Sequence, residues 1–387
     1  MMTNTNKLFL DRTEKVNLTV GSPYFSTPSA ANVAAHEAID RGKTKYTPAA
    51  GIPDLRAAIV KKFHQDGVDY STDQTIVGVG AKLLLFAIFL GDNLNGQEVI
   101  IPAPYYAAYP SLVKLTGGTP IIVQTQSSDQ FKLTPMTLEN SLSDKVRWLI
   151  LNSPSNPTGA VYTPDELRAL GEVLKAFPNV RVLSDEIYQS FVYEGVATNI
   201  ASLSDDLYRR TVTLNGVSKT YAMTGWRIGY AAGPLPIIER AISVQSDIVN
   251  CPSSISQEAA LAALIMDQDE VRTRNASLVE HRDLGVQILS TCAHLQVASP
   301  TGAFYLFPSF SMGLPSLAVK GDFEKFEKRL VNFLADEAGV SVTAGSRFGQ
   351  IGSFRINFTV KREELELGCN RLVVGLNNFY ELEGHNV

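Results

Sequence analysis

The sequence is poor in thiols, in imidazoles and in long apolar runs, and each shortage removes a class of function. Its three cysteines, Cys251, Cys292 and Cys369, are odd in number and far apart, so they draw neither a disulfide framework nor a C-x-x-C zinc or redox motif. The five histidines, His36, His64, His281, His294 and His385, form no H-E-x-x-H and no Cys/His cluster, which leaves metal catalysis without visible ligands. No metal is expected. The longest apolar run, Leu83 to Leu90, is too short to span a bilayer, and the opening MMTNTNKLFLDRTEK lacks a signal-peptide apolar core followed by a cleavage site. Positive charge is not in surplus either. With 34 Lys+Arg against 39 Asp+Glu the net charge is -5, the opposite of what a nucleic-acid binder needs. These shortages lead us to expect a cytoplasmic protein with no membrane or nucleic-acid partner, in which any anionic ligand is held locally.

What is present describes a folded α/β protein. Hydrophobic residues make up 45% and charged residues 19%, far from a disordered composition. A length of 387 residues suits two or three domains, or one large interrupted one. Strand-like runs recur at 75–79, 98–102, 119–124, 146–152, 180–184, 211–215 and 227–232. Helical patterns lie between them. Thr163 reads as the N-cap of a helix with Leu167, Leu170 and Leu174 on one face, and an Ala/Leu-rich helix covers 256–266. Such alternation predicts a mostly parallel sheet covered on both faces, with ligands bound at the carboxyl ends of its strands. Past Arg274 the pattern changes to a long polar helix, a strand pair at 295–297 and 303–307, another helix, and a strand at 354–359. The chain is therefore divided into an N-terminal segment (1–32) that joins the smaller unit, a large domain (33–274) and a small α+β domain (275–387).

Several unusual residues fall at the predicted strand ends. After 146–152 comes Ser153-Pro154-Ser155-Asn156-Pro157-Thr158-Gly159, a tight loop in which Asn156 can present a rigidly held amide. The next strand ends in Asp185-Glu186-Ile187-Tyr188, and a carboxylate at a dry strand end is costly unless a cation or proton donor meets it. One of the two acids is expected to face a cationic group. Then follows Gly216-Val217-Ser218-Lys219, where a lysine beyond an apolar strand has surroundings able to lower its pKa and make it a nucleophile for carbonyl carbon. Arg227, in Gly225-Trp226-Arg227-Ile228-Gly229, is a permanently charged fork suited to a phosphate.

Taken together, G-V-S-K, G-W-R-I-G, N-P-T-G and D-E-I-Y resemble the class I and II aminotransferases of pyridoxal-phosphate fold type I. The likeness spans nearly the whole chain. It continues in Leu18-Thr19-Val20-Gly21-Ser22-Pro23, Tyr46-Thr47-Pro48, Gly51-Ile52-Pro53-Asp54-Leu55-Arg56, Gly80-Ala81-Lys82, Pro104-Tyr105-Tyr106, Gly302-Ala303-Phe304-Tyr305 and Phe354-Arg355-Ile356-Asn357. The resemblance implies a large domain with a mostly parallel seven-stranded sheet, a small α+β domain, a homodimer with shared active sites, and pyridoxal 5'-phosphate as cofactor. It further implies that Lys219 forms the internal Schiff base and shuttles the substrate proton. Asp185 would pair with the ring nitrogen, Asn156 and Tyr188 with the ring oxygen, and Tyr106 would stack on the ring. The phosphate would be held by Gly80, Ala81, Ser218, Arg227 and Tyr46 of the partner subunit, with Lys82 lining the same turn. Arg355 would clamp the substrate α-carboxylate with Gly21 and Asn156. The branch it most resembles contains aromatic, aspartate and N-acetyl-diaminopimelate aminotransferases.

Departures from the pattern and rival readings accompany it. Gly216 stands where the family carries a serine, so one phosphate hydroxyl is missing, and Ser22 replaces a usual glutamate. Gly78-Val79-Gly80 with Glu98 further on resembles a dinucleotide fingerprint, but its third glycine is replaced by Leu83. A C–S β-lyase would use the same lysine, aspartate and arginine. Phe304, Tyr305 and Phe307 read mainly as core, and no cation for a distal substrate carboxylate can be picked out. The reading is transfer of an amino group from an L-amino acid, with an aromatic one preferred, to a 2-oxo acid such as 2-oxoglutarate.

Overall fold

In the computed structural model, residues 15–310 and 320–384 are described. The first strand, β1 (Val16–Asn17), lies apart from the main sheet. That sheet is built from β2 (Thr75–Gly78), β3 (Glu98–Ala103), β4 (Thr119–Gln124), β5 (Val146–Asn152), β6 (Arg181–Asp185), β7 (Thr211–Gly216) and β8 (Gly229–Ala232). The seven stand in the order β2-β8-β7-β6-β5-β3-β4. Strand β8 is antiparallel to both neighbours and every other pair is parallel. Side chains alternate between two apolar layers: Trp148 and Ile150 of β5 enter one cluster with the helix Gly80–Gly91, whereas Leu149 and Leu151 enter another with the helix Pro164–Leu174. Burial on both faces explains why these strands read as continuous apolar runs.

Helix ends follow the sequence cues closely. Thr163 accepts from the Glu166 backbone N–H at 3.2 Å while Glu166 accepts from the Thr163 N–H at 2.7 Å, a complete capping box. The Ala/Leu-rich helix runs Ser254–Ile265, beginning earlier than the pattern suggested because Ser253 caps it. Among the described residues no helix is long and apolar enough to cross a membrane.

A further apolar cluster joins both ends of the chain, with Val16 and Leu18 packed among Val340, Phe354 and Leu372. Its strands are β9 (Leu295–Gln296), β10 (Tyr305–Leu306), β11 (Ser309–Phe310), β12 (Val340–Ser341), β13 (Thr343–Ala344) and β14 (Phe354–Asn357). The expected pairing of 295–297 with 303–307 does not form. Strand β9 pairs with β11, and β10 pairs with β14. The intervening turn is committed elsewhere: Gly302 N–H donates to Gly159 at 2.8 Å, Ala303 N–H to Phe191 at 2.8 Å, and Tyr193 N–H to Thr301 at 2.9 Å. The boundary read at residue 274 falls inside the continuous helix Asp269–Leu289. The predicted strand at 227–232 starts only at Gly229, because Arg227 adopts a left-handed conformation with φ 58°.

Candidate active site

A cavity of about 390 Å³ opens at the carboxyl ends of β5, β6 and β7, where a parallel sheet presents its ligand edge. Gly21, Ala81, Lys82, Tyr106, Asn156, Asp185, Tyr188, Ser218, Lys219, Arg227 and Arg355 all line it. Gly80, the first residue of the helix that carries Ala81 and Lys82, packs against Arg227 at a φ of +76°, and a Cβ there would run into the guanidinium. Tyr46 is not brought in. It lies outside the cavity of its own chain, with 84% of its surface exposed.

Lys219 sits in the short helix Val217–Thr220 that follows β7, and its Nζ donates to the Gly21 carbonyl at 2.5 Å. Burial, followed by the positive charges of Arg355 and Arg227, lowers its pKa to about 8. Asp185, at the end of β6, accepts from the Tyr109 hydroxyl at 2.6 Å and from the Ile187 N–H at 3.3 Å. Burial raises its pKa, opposed by those hydrogen bonds and by Lys219. Of the two adjacent acids, Asp185 is thus the one in the cavity. Glu186 lies outside it, accepts from Ser184 Oγ at 2.8 Å, and is pushed by burial to about 8.

Arg355 comes from β14 and holds Asn156 Oδ1 with Nη1 at 2.9 Å and the Thr19 carbonyl with Nη2 at 2.8 Å. Its buried Nε has no partner among the described groups. At the other end Arg227 donates Nη1 to the Thr224 carbonyl at 2.9 Å, and its left-handed backbone turns the side chain toward Gly80. Gly216 is tightly packed where the family carries a serine: a Cβ there would lie 3.0 Å from Gly229 Cα and 3.1 Å from the Ile228 carbonyl, so a side chain would require the neighbouring backbone to shift.

Four polar lining residues escaped assignment from the sequence. Tyr109 carries the hydrogen bond to Asp185, and its only signal was its place three residues beyond Tyr106. Asn152 ties the Asn156 loop to β6 by accepting from Asn156 N–H at 2.8 Å and donating to the Asp185 carbonyl at 2.8 Å. Thr224 supplies the carbonyl that turns Arg227. Tyr305, read mainly as core, places its hydroxyl 2.9 Å from that of Tyr188.

The family described as aminotransferase class I and II matches residues 13–372. The chain belongs to the class I and II aminotransferases. This aminotransferase is 43% identical over 359 residues to a probable aspartate/prephenate aminotransferase of Rhizobium leguminosarum bv. phaseoli, covering 92% of this chain and 90% of that one. In structure it is similar to the aspartate aminotransferase of Rhizobium meliloti, with TM-score 0.88 and 38% identity over 97% of this chain and 96% of that chain. It is equally similar in shape to the aromatic aminotransferase of Pyrococcus horikoshii OT3, with TM-score 0.88 and 34% identity over 97% and 99% of the two chains. The aminotransferase uses pyridoxal 5'-phosphate, and its cavity fits that group. Among the described residues, Lys82, Lys219, Arg227 and Arg355 supply four basic side chains against the single carboxylate of Asp185, an excess suited to a phosphate and a substrate carboxylate together.

Proposed function

We propose that this aminotransferase takes the amino group of an aromatic L-amino acid and passes it to a 2-oxo acid such as 2-oxoglutarate. The observation that carries the reading is the position of Lys219, a half-buried amine of lowered pKa in one cavity with a buried carboxylate and two guanidinium groups. When bound, the cofactor supplies an aldehyde carbon for amines and a ring that accepts electrons. Lys219 takes the proton from the substrate Cα and returns it. Asp185 holds a proton on the ring nitrogen, a task for a carboxylate kept dry and oriented by Tyr109. Asn156 and Tyr188 would donate to the ring oxygen, and Tyr106 would pack against the ring. The N–H groups of Gly80 and Ala81, at the start of a helix of 12 residues, hold the phosphate with Ser218 and Arg227. Arg355 would meet the substrate carboxylate beside Asn156 and Gly21, which line the same cavity.

Lys82 favours a second reading, aspartate as donor. After Lys219, Arg227 and Arg355 are assigned, it is the remaining cation among the lining residues, 5.6 Å from the Tyr106 ring centroid, and it can meet a distal carboxylate. The same tyrosine face can meet an aromatic side chain, which supports both donors at one site.

The reading includes a homodimer, with Tyr46 of the partner subunit reaching the phosphate. The exposure of Tyr46, at 84%, leaves its side chain available to a second copy. The division into 1–32, 33–274 and 275–387 and a cytoplasmic location belong to the same proposal, the latter supported by three unpaired thiols. The test is a panel of donors against 2-oxoglutarate, comparing kcat/KM, with borohydride trapping of the cofactor on Lys219. Phenylalanine and tyrosine are expected to lead. Aspartate ahead of both by about tenfold, a gap of 1.4 kcal/mol, selects the second reading.

A further inference from the structure

Four side chains in the cavity wall close into a ring. Asn156 Nδ2 donates to the Tyr188 hydroxyl at 3.4 Å, and the Tyr188 and Tyr305 hydroxyls meet at 2.9 Å. The Arg355 guanidinium lies over the Tyr305 ring, 4.3 Å from its centroid, and Arg355 Nη1 returns to Asn156 Oδ1 at 2.9 Å. Three of these residues have the proposed tasks described above. Tyr305 has none, although it is fully buried.

Its place follows from the fold. Tyr305 is opposite Asn357 in the β10–β14 pair, so Arg355, two residues along β14, is its diagonal neighbour on the same face. Phe348 covers Arg355 from another direction, with its ring centroid 5.0 Å from the guanidinium. Tyr305 therefore grips two functional groups through different atoms, the arginine by its ring and Tyr188 by its hydroxyl.

We propose that Tyr305 is a positioning residue that couples the substrate-carboxylate clamp to the contact on the cofactor ring oxygen. Its ring face restrains the Arg355 guanidinium, and its hydroxyl orients that of Tyr188. Because the two effects use different parts of one side chain, they can be separated by substitution. The inference rests on the proposed roles of Tyr188 and Arg355.

The experiment compares wild type, Tyr305→Phe, Tyr305→Leu, Tyr188→Phe and the double variant Tyr188→Phe/Tyr305→Phe, each purified with pyridoxal 5'-phosphate. Two quantities are read: the pH midpoint of the visible absorbance change, and the Kd for maleate, an unreactive dicarboxylate. Asp185 and Arg355, the charged groups acting on Tyr188, are retained throughout. Tyr305→Phe is expected to raise the midpoint by about half a pH unit, the size expected of one lost neutral hydrogen bond, while maleate binding stays within roughly twofold. In the Tyr188→Phe background the same change is expected to move nothing. Tyr305→Leu is expected to weaken maleate roughly fivefold. An unchanged midpoint in Tyr305→Phe overturns the inference, as does an equal shift without Tyr188 or unchanged maleate affinity in Tyr305→Leu. Should Tyr305→Leu fail to fold, the Tyr305→Phe comparison decides alone. A wild type that is colourless and untrapped by borohydride overturns the underlying reading as well, whereas a coloured, trappable wild type with any of the contrary results overturns this inference only.

Discussion

The Tyr109 hydroxyl donates to Asp185 Oδ2 at 2.6 Å inside a pocket where both residues are buried. This is a charge-assisted bond, and it stabilises the ionised carboxylate against the desolvation that raises its pKa. Removing a hydrogen bond to a charged group costs about 1.5–3 kcal/mol. Tyr109→Phe is therefore expected to lower kcat by roughly ten- to a hundredfold. A steady-state comparison with saturating cofactor checks it, and an unchanged kcat refutes the role assigned to Tyr109.

The depressed pKa of Lys219 has consequences in the cofactor-free chain. Its folded-state value of about 8 lies below the ordinary 10.5, so between those values the unfolded chain binds more protons than the folded one. Stability contributed by this site must then rise with pH across that window and level off on either side of it, where the two states bind equal numbers of protons. Denaturant titrations at pH 8 and pH 10 should show a larger gain for wild type than for Lys219→Met. Equal gains in the two proteins would place the amine in an ordinary environment.

Arg355 and Lys82 should separate by substrate. Arg355→Ala removes the group that meets the carboxylate common to every donor and is expected to lower kcat/KM for all of them by at least about tenfold. Lys82→Ala is expected to act chiefly on aspartate and glutamate and to spare phenylalanine. Parallel donor panels check both. A donor-selective loss in Arg355→Ala would mean that the α-carboxylate is held elsewhere.

Gly216→Ser restores the residue of the family pattern but is not expected to improve phosphate binding. The new Cβ would press on the Gly229 and Ile228 backbone, and overpacking of this kind typically costs about 1–3 kcal/mol. A lowered unfolding midpoint together with unimproved cofactor affinity is the expected result. Tighter cofactor binding at unchanged stability would contradict it.

Local chemistry was enough to announce much of this protein. Apolar or β-branched runs announced all seven strands of the main sheet; the interior strands have no polar alternation to obscure them because they are buried on both faces, whereas the edge strand β4 is largely half-buried or exposed. Thr163 announced a helix start, and the Asn156, Asp185 and Lys219 motifs stand out because each lies at or just beyond a strand end, whereas Arg227 comes just before β8. Tertiary contacts decided the rest. Local chemistry left Asp185 and Glu186 open and the family resemblance pointed to Asp185; the fold places Asp185 in the cavity and Glu186 outside it, because neighbours along a strand end project to opposite sides. The partner of β10 was settled by backbone bonds to Gly159 and Phe191, residues more than a hundred positions away. Tyr109 and Tyr305 became visible as functional neighbours for the same reason: an aromatic residue looks like core until its hydroxyl is seen to meet a carboxylate or another phenol.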